Sequence, residues 1–503
     1  MKKLSILAIL LSGLIVFSCQ KKTPDFVKSI PDDAFAVVSI HPMQIHKKGQ
    51  LNTLENLKSK IKKEVLKQLI EDPLSSGLNL NEHAFVFVTL REESPEIGVV
   101  AGMSNVKKFE SMLNSIDEGI EDNIVRKDKF KMVSPDHESV ISWNDDQVIM
   151  LISPDKEKDD GIWSETLEVL YKLPKEQSIT SMVDFNNFTK GMKDLNAWVS
   201  SDQLRDVLKN LDTDKHINLP VAFYNNYAHL FCEFNNGAVN VSGKTNFSEE
   251  VKKNVDEYLI MKKSLNKDML KLTPGDNLLM AVSASMDLEK LQKVIKDVAP
   301  LDSIGIGDKV EQMTGIPANE LLQALTGDFT LAINGVEGES MIPVELFIGM
   351  GVDNEAIQDM LMGKLEDMTQ VQKEGDFFII NAQGIEIYSG ILNGAWVITN
   401  KKGYKDAVTG GGLKTALPGT RFNDFANRSI GMYFNLDLNS YPAMITQQLT
   451  RNPKQKAIFD YIAESFSYMG MSGGNYDSDM ILKTNKPGEN SLYTILKATE
   501  MIE

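Results

Sequence analysis

The chain has 503 residues, of which 42% are hydrophobic and 24% charged, a make-up that suits a globular protein with more than one core. Its formal net charge is -17, which argues against a nucleic-acid partner, since phosphate binding wants a basic stripe, and against an electrostatic hold on anionic lipid. It holds two cysteines, Cys19 and Cys232.

The first stretch is the most legible. Lys2 and Lys3 precede an apolar and small run from Leu4 to Phe17, then Ser18 and Cys19. This pattern predicts a lipoprotein signal peptide over residues 1–18, with the lipobox Val16-Phe17-Ser18-Cys19. The apolar run is 14 residues, short of the roughly 20 that span a bilayer, so a retained transmembrane helix is not expected. Cleavage before Cys19 makes it the lipidation site. Its thiol takes a diacylglycerol, and the freed amine takes another acyl chain such as palmitate. One chain binds only marginally, whereas two or three hold firmly. Gln20 follows the cysteine, and similarity to the sorting rules of Gram-negative lipoproteins then favours the outer membrane, with the body facing the periplasm. Residues 19–28 form a lipidated polar tether of about 30 Å at full extension. Once Cys19 is lipidated no internal disulfide remains possible. Cys232, in the apolar run AHLFCEF, reads as a small core residue.

Ordered structure is expected from IPDDAFAVVSI, with a turn at Pro31-Asp32-Asp33 and a strand from Phe35 to Ile40. Leu51, Leu54, Leu57, Ile61, Val65, Leu66 and Leu69 recur at three- and four-residue steps and predict an amphipathic helix. Strands HAFVFVTL and IGVVAGM follow, then a helix with Val106, Phe109, Met112, Leu113 and Ile116 on one face. Strands over 129–132, 139–143 and 147–152 close the block. Residues 179–188 read as a strand, and helices are expected over 188–211 and 440–466. The runs AHLFCEF and AVNVSGKT flank Asn236-Gly237, a hairpin signal. A helix after Ser248 carries Val251, Val255, Tyr258 and Leu259 on its apolar face.

The pattern then repeats at an offset of about 240 to 250 residues. LTPGDNLLMAVSASMDL answers SIPDDAFAVVSIHPMQI, GDFTLAI answers EHAFVFV, FIGMGVDNEAIQDML answers VVAGMSNVKKFESML, and LNGAWVITNK answers WNDDQVIMLI. SIGMYFNLDL answers ITSMVDFNNF, and Lys483–Asn485 answers Lys244–Asn246. The expected fold class is α+β, with two tandemly duplicated halves over 29–266 and 267–503, each with a mainly antiparallel sheet and packed helices.

The anchor, IPDDAFAVVSIHPMQIHKKG, EDPLSSGLNL and HAFVFV together resemble the envelope lipoproteins of the domain of unknown function 4836 family. The resemblance spans most of the mature chain. It implies a lipid-anchored, secreted bacterial protein of undefined role and brings no active-site residue with it.

The candidate chemistry is sparse. GMSGG, Gly470 to Gly474, matches the G-x-S-x-G of serine hydrolases, which needs a strand, a strained elbow and a helix. Here strands flank it on both sides, so Ser472 reads as structural. In TGGGLKT, Leu413 separates Gly412 from Lys414 and breaks the phosphate-loop pattern. His41, His46, His83, His137, His216 and His229 include no H-E-x-x-H and no i, i+4 helical pair. Asp212/Asp214 and Asp477/Asp479 lack the calcium-loop spacing and read as turn residues. The 24 methionines are scattered and read as core filling.

No catalytic, cofactor or metal residue is assigned, and the one site residue is Cys19. The expected function is a non-enzymatic envelope lipoprotein that binds or scaffolds an envelope protein or glycan. The alternatives are a periplasmic hydrolase of glycan or peptide, and a small-molecule or lipid carrier with a cavity between the halves.

Overall fold

The computed structural model describes residues 23–60, 67, 70–91, 94–116, 119–136, 138–153, 158–201, 226–247, 249, 252, 259–298, 317–336, 342–353, 370–382 and 385–501. Cys19 and its leader lie outside them. So do most of the helix expected after Ser248, the second half's counterpart of the 106–116 helix, His137, His216 and the Asp212/Asp214 pair. Two compact units emerge: Met1–Gln44 with Lys63–Val207, and Ile45–Lys62 with Leu208–Glu503. Both combine helices with antiparallel strands, so the fold is α+β.

Unit 1 is built on eight strands: β1 (Ala36–Ile40), β2 (Ala84–Arg91), β3 (Ser94–Gly102), β4 (Val125–Arg126), β5 (Lys131–Asp136), β6 (Ser139–Trp143), β7 (Gln147–Ile152) and β8 (Leu195–Ser200). They pair antiparallel in the order β4-β5-β6-β7-β3-β2-β1-β8. Alternation sorts the two faces. On one, Phe87, Val37 and Trp198 stand side by side across β2, β1 and β8 and are fully buried. Trp163 and Leu167 of helix Asp160–Tyr171 and Phe185 and Phe188 of helix Val183–Gly191 are buried too, and Phe185 meets Trp198 edge-on at 5.6 Å. A Cβ on Gly98 would come within 2.0 Å of the Phe87 ring, so the missing side chain is what lets that ring lie on β3. On the other face, Phe109 and Leu113 of helix Val106–Ile116 pack with Ala101, Val133, Trp143 and Val148.

Two expectations in this unit are corrected. Residues 179–188 form no strand but a 3₁₀ turn, Ile179–Ser181, and the helix Val183–Gly191. Phe185 and Phe188, three apart, share a helical face and are both fully buried there. The helix expected over 188–211 stops at Gly191. Residues Leu195–Ser200 are β8, because Asn196, Trp198 and Ser200 alternate inward.

Unit 2 carries twelve strands: β9 (Tyr227–Asn235), β10 (Ala238–Asn246), β11 (Leu278–Ser285), β12 (Leu325–Gly335), β13 (Val344–Val352), β14 (Gln370–Glu374), β15 (Phe377–Ala382), β16 (Ile385–Leu392), β17 (Ala395–Thr399), β18 (Ile430–Asn435), β19 (Phe466–Gly473) and β20 (Asp477–Thr484). Their antiparallel order is β14-β15-β16-β17-β13-β12-β11-β18-β19-β20-β10-β9. From β14 to β18 this order matches that of unit 1 from β4 to β8, strand for strand. The core gathers Phe347, Phe377, Tyr404, Phe422, Phe425 and Tyr433. The helix expected over 440–466 is two, Ala443–Leu449 and Pro453–Ser465. The break falls where the Asn452 side chain caps the Lys454 amide and proline opens the second helix.

The compact units divide the chain near 207/208, whereas the halves expected from the sequence meet at 266/267. The physical cause is the β9–β10 hairpin. It precedes the second half in sequence, yet β10 pairs with β20 over seven residue pairs from Ala238↔Lys483 to Lys244↔Asp477.

Candidate functional site

Register brings together one group of titratable side chains that spacing alone hides. His83 leads into β2, His41 follows β1 and Asp194 leads into β8, so the pairings Ile40↔Ala84 and Ile40↔Leu195, continued by one residue, set the three in a row. The His41 and His83 rings meet edge-on with centroids 5.0 Å apart, and the His41 amide donates to the Asp194 carbonyl at 2.9 Å. His83 and Asp194 are buried. The contact shown with Asp194 is through its main chain, so the side chains that meet are the two imidazoles. The serine on the same strand has partners of its own. Ser39 donates to the Met192 sulfur at 3.1 Å and accepts from Asn196 Nδ2 at 2.9 Å. Among the described residues no group of three His, Cys, Asp or Glu side chains is placed to hold a metal ion.

The other polar clusters tie elements together. Glu96 on β3 is buried and paired with Lys158, whose ammonium also lies 4.5 Å from the centre of the Trp163 ring. Glu110 accepts from Lys131 Nζ at 2.7 Å and Trp143 Nε1 at 2.9 Å, which joins its helix to β5 and β6. Burial pushes the Glu110 pKa up, and those two donors outweigh it, so the group sits below its ordinary value. In unit 2, Asp328 on β12 accepts from Ser285 at 2.6 Å, Thr326 at 2.9 Å, Lys262 at 3.2 Å and Asn266 at 3.3 Å. Here again burial raises the pKa, and the hydroxyls of Ser285 and Thr326 with the Lys262 charge bring it below the usual aspartate value.

The residues singled out by motif fall elsewhere. Ser472 lies buried near the end of β19, between Gly431 of β18 and Asp479 of β20. It is on no elbow. The first glycine of its motif has a packing reason, since a Cβ on Gly470 would stand 2.0 Å from the Phe425 ring. Gly410–Gly412 close the helix Tyr404–Thr409, with the Gly410 amide on the Asp406 carbonyl at 2.8 Å. Asp477 and Asp479 are strand residues, not turn residues, and Arg428 reaches them at 3.2 and 2.6 Å. His46 lies on helix Pro42–Gly49, apart from His41 in its element. His229 is buried on β9 with the Asn246 amide 3.3 Å from its ring nitrogens. Cys232 is half-buried on β9. Asp194 was missed because nothing near it in sequence marks it. Only the register of three strands does.

These features define an α+β protein whose two units share an antiparallel strand order, held by buried ion pairs and hydrogen-bonded carboxylates. The chain belongs to the family described as Domain of unknown function (DUF4836), whose model matches residues 26–492. It is also similar to solved structures of TP0453. Crystal form I is 12% identical with a TM-score of 0.26, covering 49% of this chain and 90% of that one. Crystal form III is 11% identical with a TM-score of 0.29, covering 49% and 91%. Crystal form IV is 12% identical with a TM-score of 0.28, covering 48% and 87%. No curated protein matches the chain.

Proposed function

We propose that the protein is a lipid-anchored component of the cell envelope, non-enzymatic, that binds or scaffolds another envelope component, a protein or a glycan. The stretch Lys2–Cys19 carries this reading: a basic start, a 14-residue apolar run and a small residue before a cysteine. In it, Cys19 bears the lipid, the anchor is the outer membrane, and the body faces the periplasm. Among the described residues no helix is long and apolar enough to cross a membrane; in this reading the acyl chains on Cys19 make the attachment. The body of the protein is two tandem copies of one fold, and the strand order shared by the two units supports this. The partner role draws support from apolar side chains turned outward in unit 1. Ile162 and Val169 lie seven apart on one helix and are 48% and 57% exposed, and Val183 is 76% exposed.

Fractionation of cells expressing Cys19→Ala tests the anchor. The variant is expected in the soluble fraction, and mature-sized protein that still pellets after a high-salt wash would refute it. Affinity capture of the lipidated protein from its own membranes tests the partner. A single envelope component enriched with wild type is the expected result, and recovery of the protein alone counts against the scaffold role.

A further inference from the structure

The junction of β10 with β20 has a property that an ordinary strand pair lacks. Val241 faces Met480, and the pairing runs out evenly on both sides of them. At one end the Thr245 amide donates to the Tyr476 carbonyl at 2.7 Å, and at the other the Thr484 amide donates to the Gly237 carbonyl at 3.0 Å. Thr245 and Thr484 are 239 residues apart in the chain, Gly237 and Tyr476 are 239 apart, and so are Val241 and Met480. Each bond is therefore the other with the two strands exchanged. The outer neighbours agree: β9 joins β10 through the turn Asn236-Gly237, and β19 joins β20 through the turn 474–476. The four strands β9-β10-β20-β19 are related by a local twofold through Val241 and Met480, the arrangement of an isologous interface.

We propose that β20 is a self-complementary pairing edge, that the β9–β10 hairpin occupies it within the chain, and that a second copy of this chain takes the hairpin's place when the hairpin is displaced. Such pairing follows from the register of β10 and β20 alone and is independent of membrane anchoring. Turning β20 about Met480 places Met480 opposite Met480 of the second copy and Leu482 opposite Ser478. It also places Lys483 opposite Asp477, twice. Opposed Lys and Asp on facing strands attract. The hairpin already imitates this, for Lys244 stands opposite Asp477 in the observed pairing. The face shared by Val239, Val241, Met480 and Leu482 is apolar in the observed pairing, and Met480 and Leu482 would remain so between two copies. An unpaired strand edge is a template for another chain, and such edges are commonly covered. In this molecule the cover has the shape of the partner it excludes.

The test uses the full chain. The terminal bonds show that odd-numbered residues of β10 point their amides at β20, so Val241→Pro removes a central bond of the junction without altering β20. Light scattering on a sizing column is expected to show V241P at twice the mass of wild type. Adding M480C is expected to give a disulfide between the two M480C positions in the V241P background and none in the wild-type background. The approach of such directly bonded pairs, about 5.5 Å between Cα atoms, suits that bond. D477K should return V241P to a monomer, and D477K with K483D should restore the dimer. K244D places two aspartates face to face in the junction without touching the backbone, and is expected to raise the dimer fraction. It decides the matter if V241P loses its circular-dichroism spectrum. A folded V241P or K244D protein that stays monomeric at every concentration overturns the proposal, and so does a dimer that M480C fails to cross-link.

Discussion

Asp328→Asn is the substitution that best separates charge from shape. The two side chains are nearly isosteric, so packing is kept while the acceptor loses its charge. Asp328 collects four donors, from Ser285, Thr326, Lys262 and Asn266, at 2.6 to 3.3 Å. Bonds to a charged acceptor contribute about 1.5–3 kcal/mol each, neutral ones about 0.5–1.5. The amide can keep its oxygen toward the three donors on one side and turn its nitrogen to Ser285, so the bonds weaken instead of vanishing. With Lys262 partly hydrated, the net loss is about 2–3 kcal/mol at neutral pH. The pH dependence gives the sharper test. The folded pKa of Asp328 is depressed, so its contribution is fully present above the unfolded value, near 3.9. It is lost as pH falls through the lower folded value. Urea titrations of wild type and D328N should therefore differ at pH 7 and converge as the pH drops below about 4. A gap that keeps its size down to acid pH would mean that D328N acts through packing, and the charge argument would be wrong.

Two further substitutions probe packing and chemistry. Gly98→Ala drives a methyl into the Phe87 ring, where the Cβ would stand 2.0 Å from a ring carbon, and is expected to destabilise by about 1–3 kcal/mol. F87L should relieve part of this, so the double variant loses less than the two single changes added, as read from urea midpoints. Ser472→Ala is expected to leave reactivity unchanged, because the residue is buried within β19, paired on both sides, and sits on no strand-to-helix elbow. Labelling by a serine-directed covalent probe that depends on Ser472 would reinstate the hydrolase reading.

The strands were legible wherever burial alternates. AFAVVSI, HAFVFV and QVIMLI all fall on β1, β2 and β7 as expected, because one face of each is committed to a core and a one-residue slip would expose it. The segments 179–188 and 188–211 were misread. Phe185 and Phe188 serve a helix and Asn196, Trp198 and Ser200 a strand, and short stretches of this kind satisfy either period. The row of His41, His83 and Asp194 was illegible in principle. Its members lie 42 and 111 residues apart, and only the pairing of three strands aligns them. The same holds for Arg428, which reaches Asp477 and Asp479 from the strand order of β18, β19 and β20.

The repeated KTN motif shows most clearly where sequence reasoning stops. Matching Lys244–Asn246 with Lys483–Asn485 proposes that two segments are equivalent, and it is silent on whether they touch. In the structure the strands that carry them are neighbours. Two antiparallel strands that are equivalent and paired in even register are related by a twofold, because exchanging them must return the same hydrogen bonds. That relation could not be read from either copy alone, nor from the match between them. It follows from one further quantity, the register, in which Val241 meets the residue 239 positions beyond it. A strand that meets its proposed equivalent in this register has the geometry to meet itself, and this makes the edge of β20 the place where the proposed pairing with a second copy is to be tested.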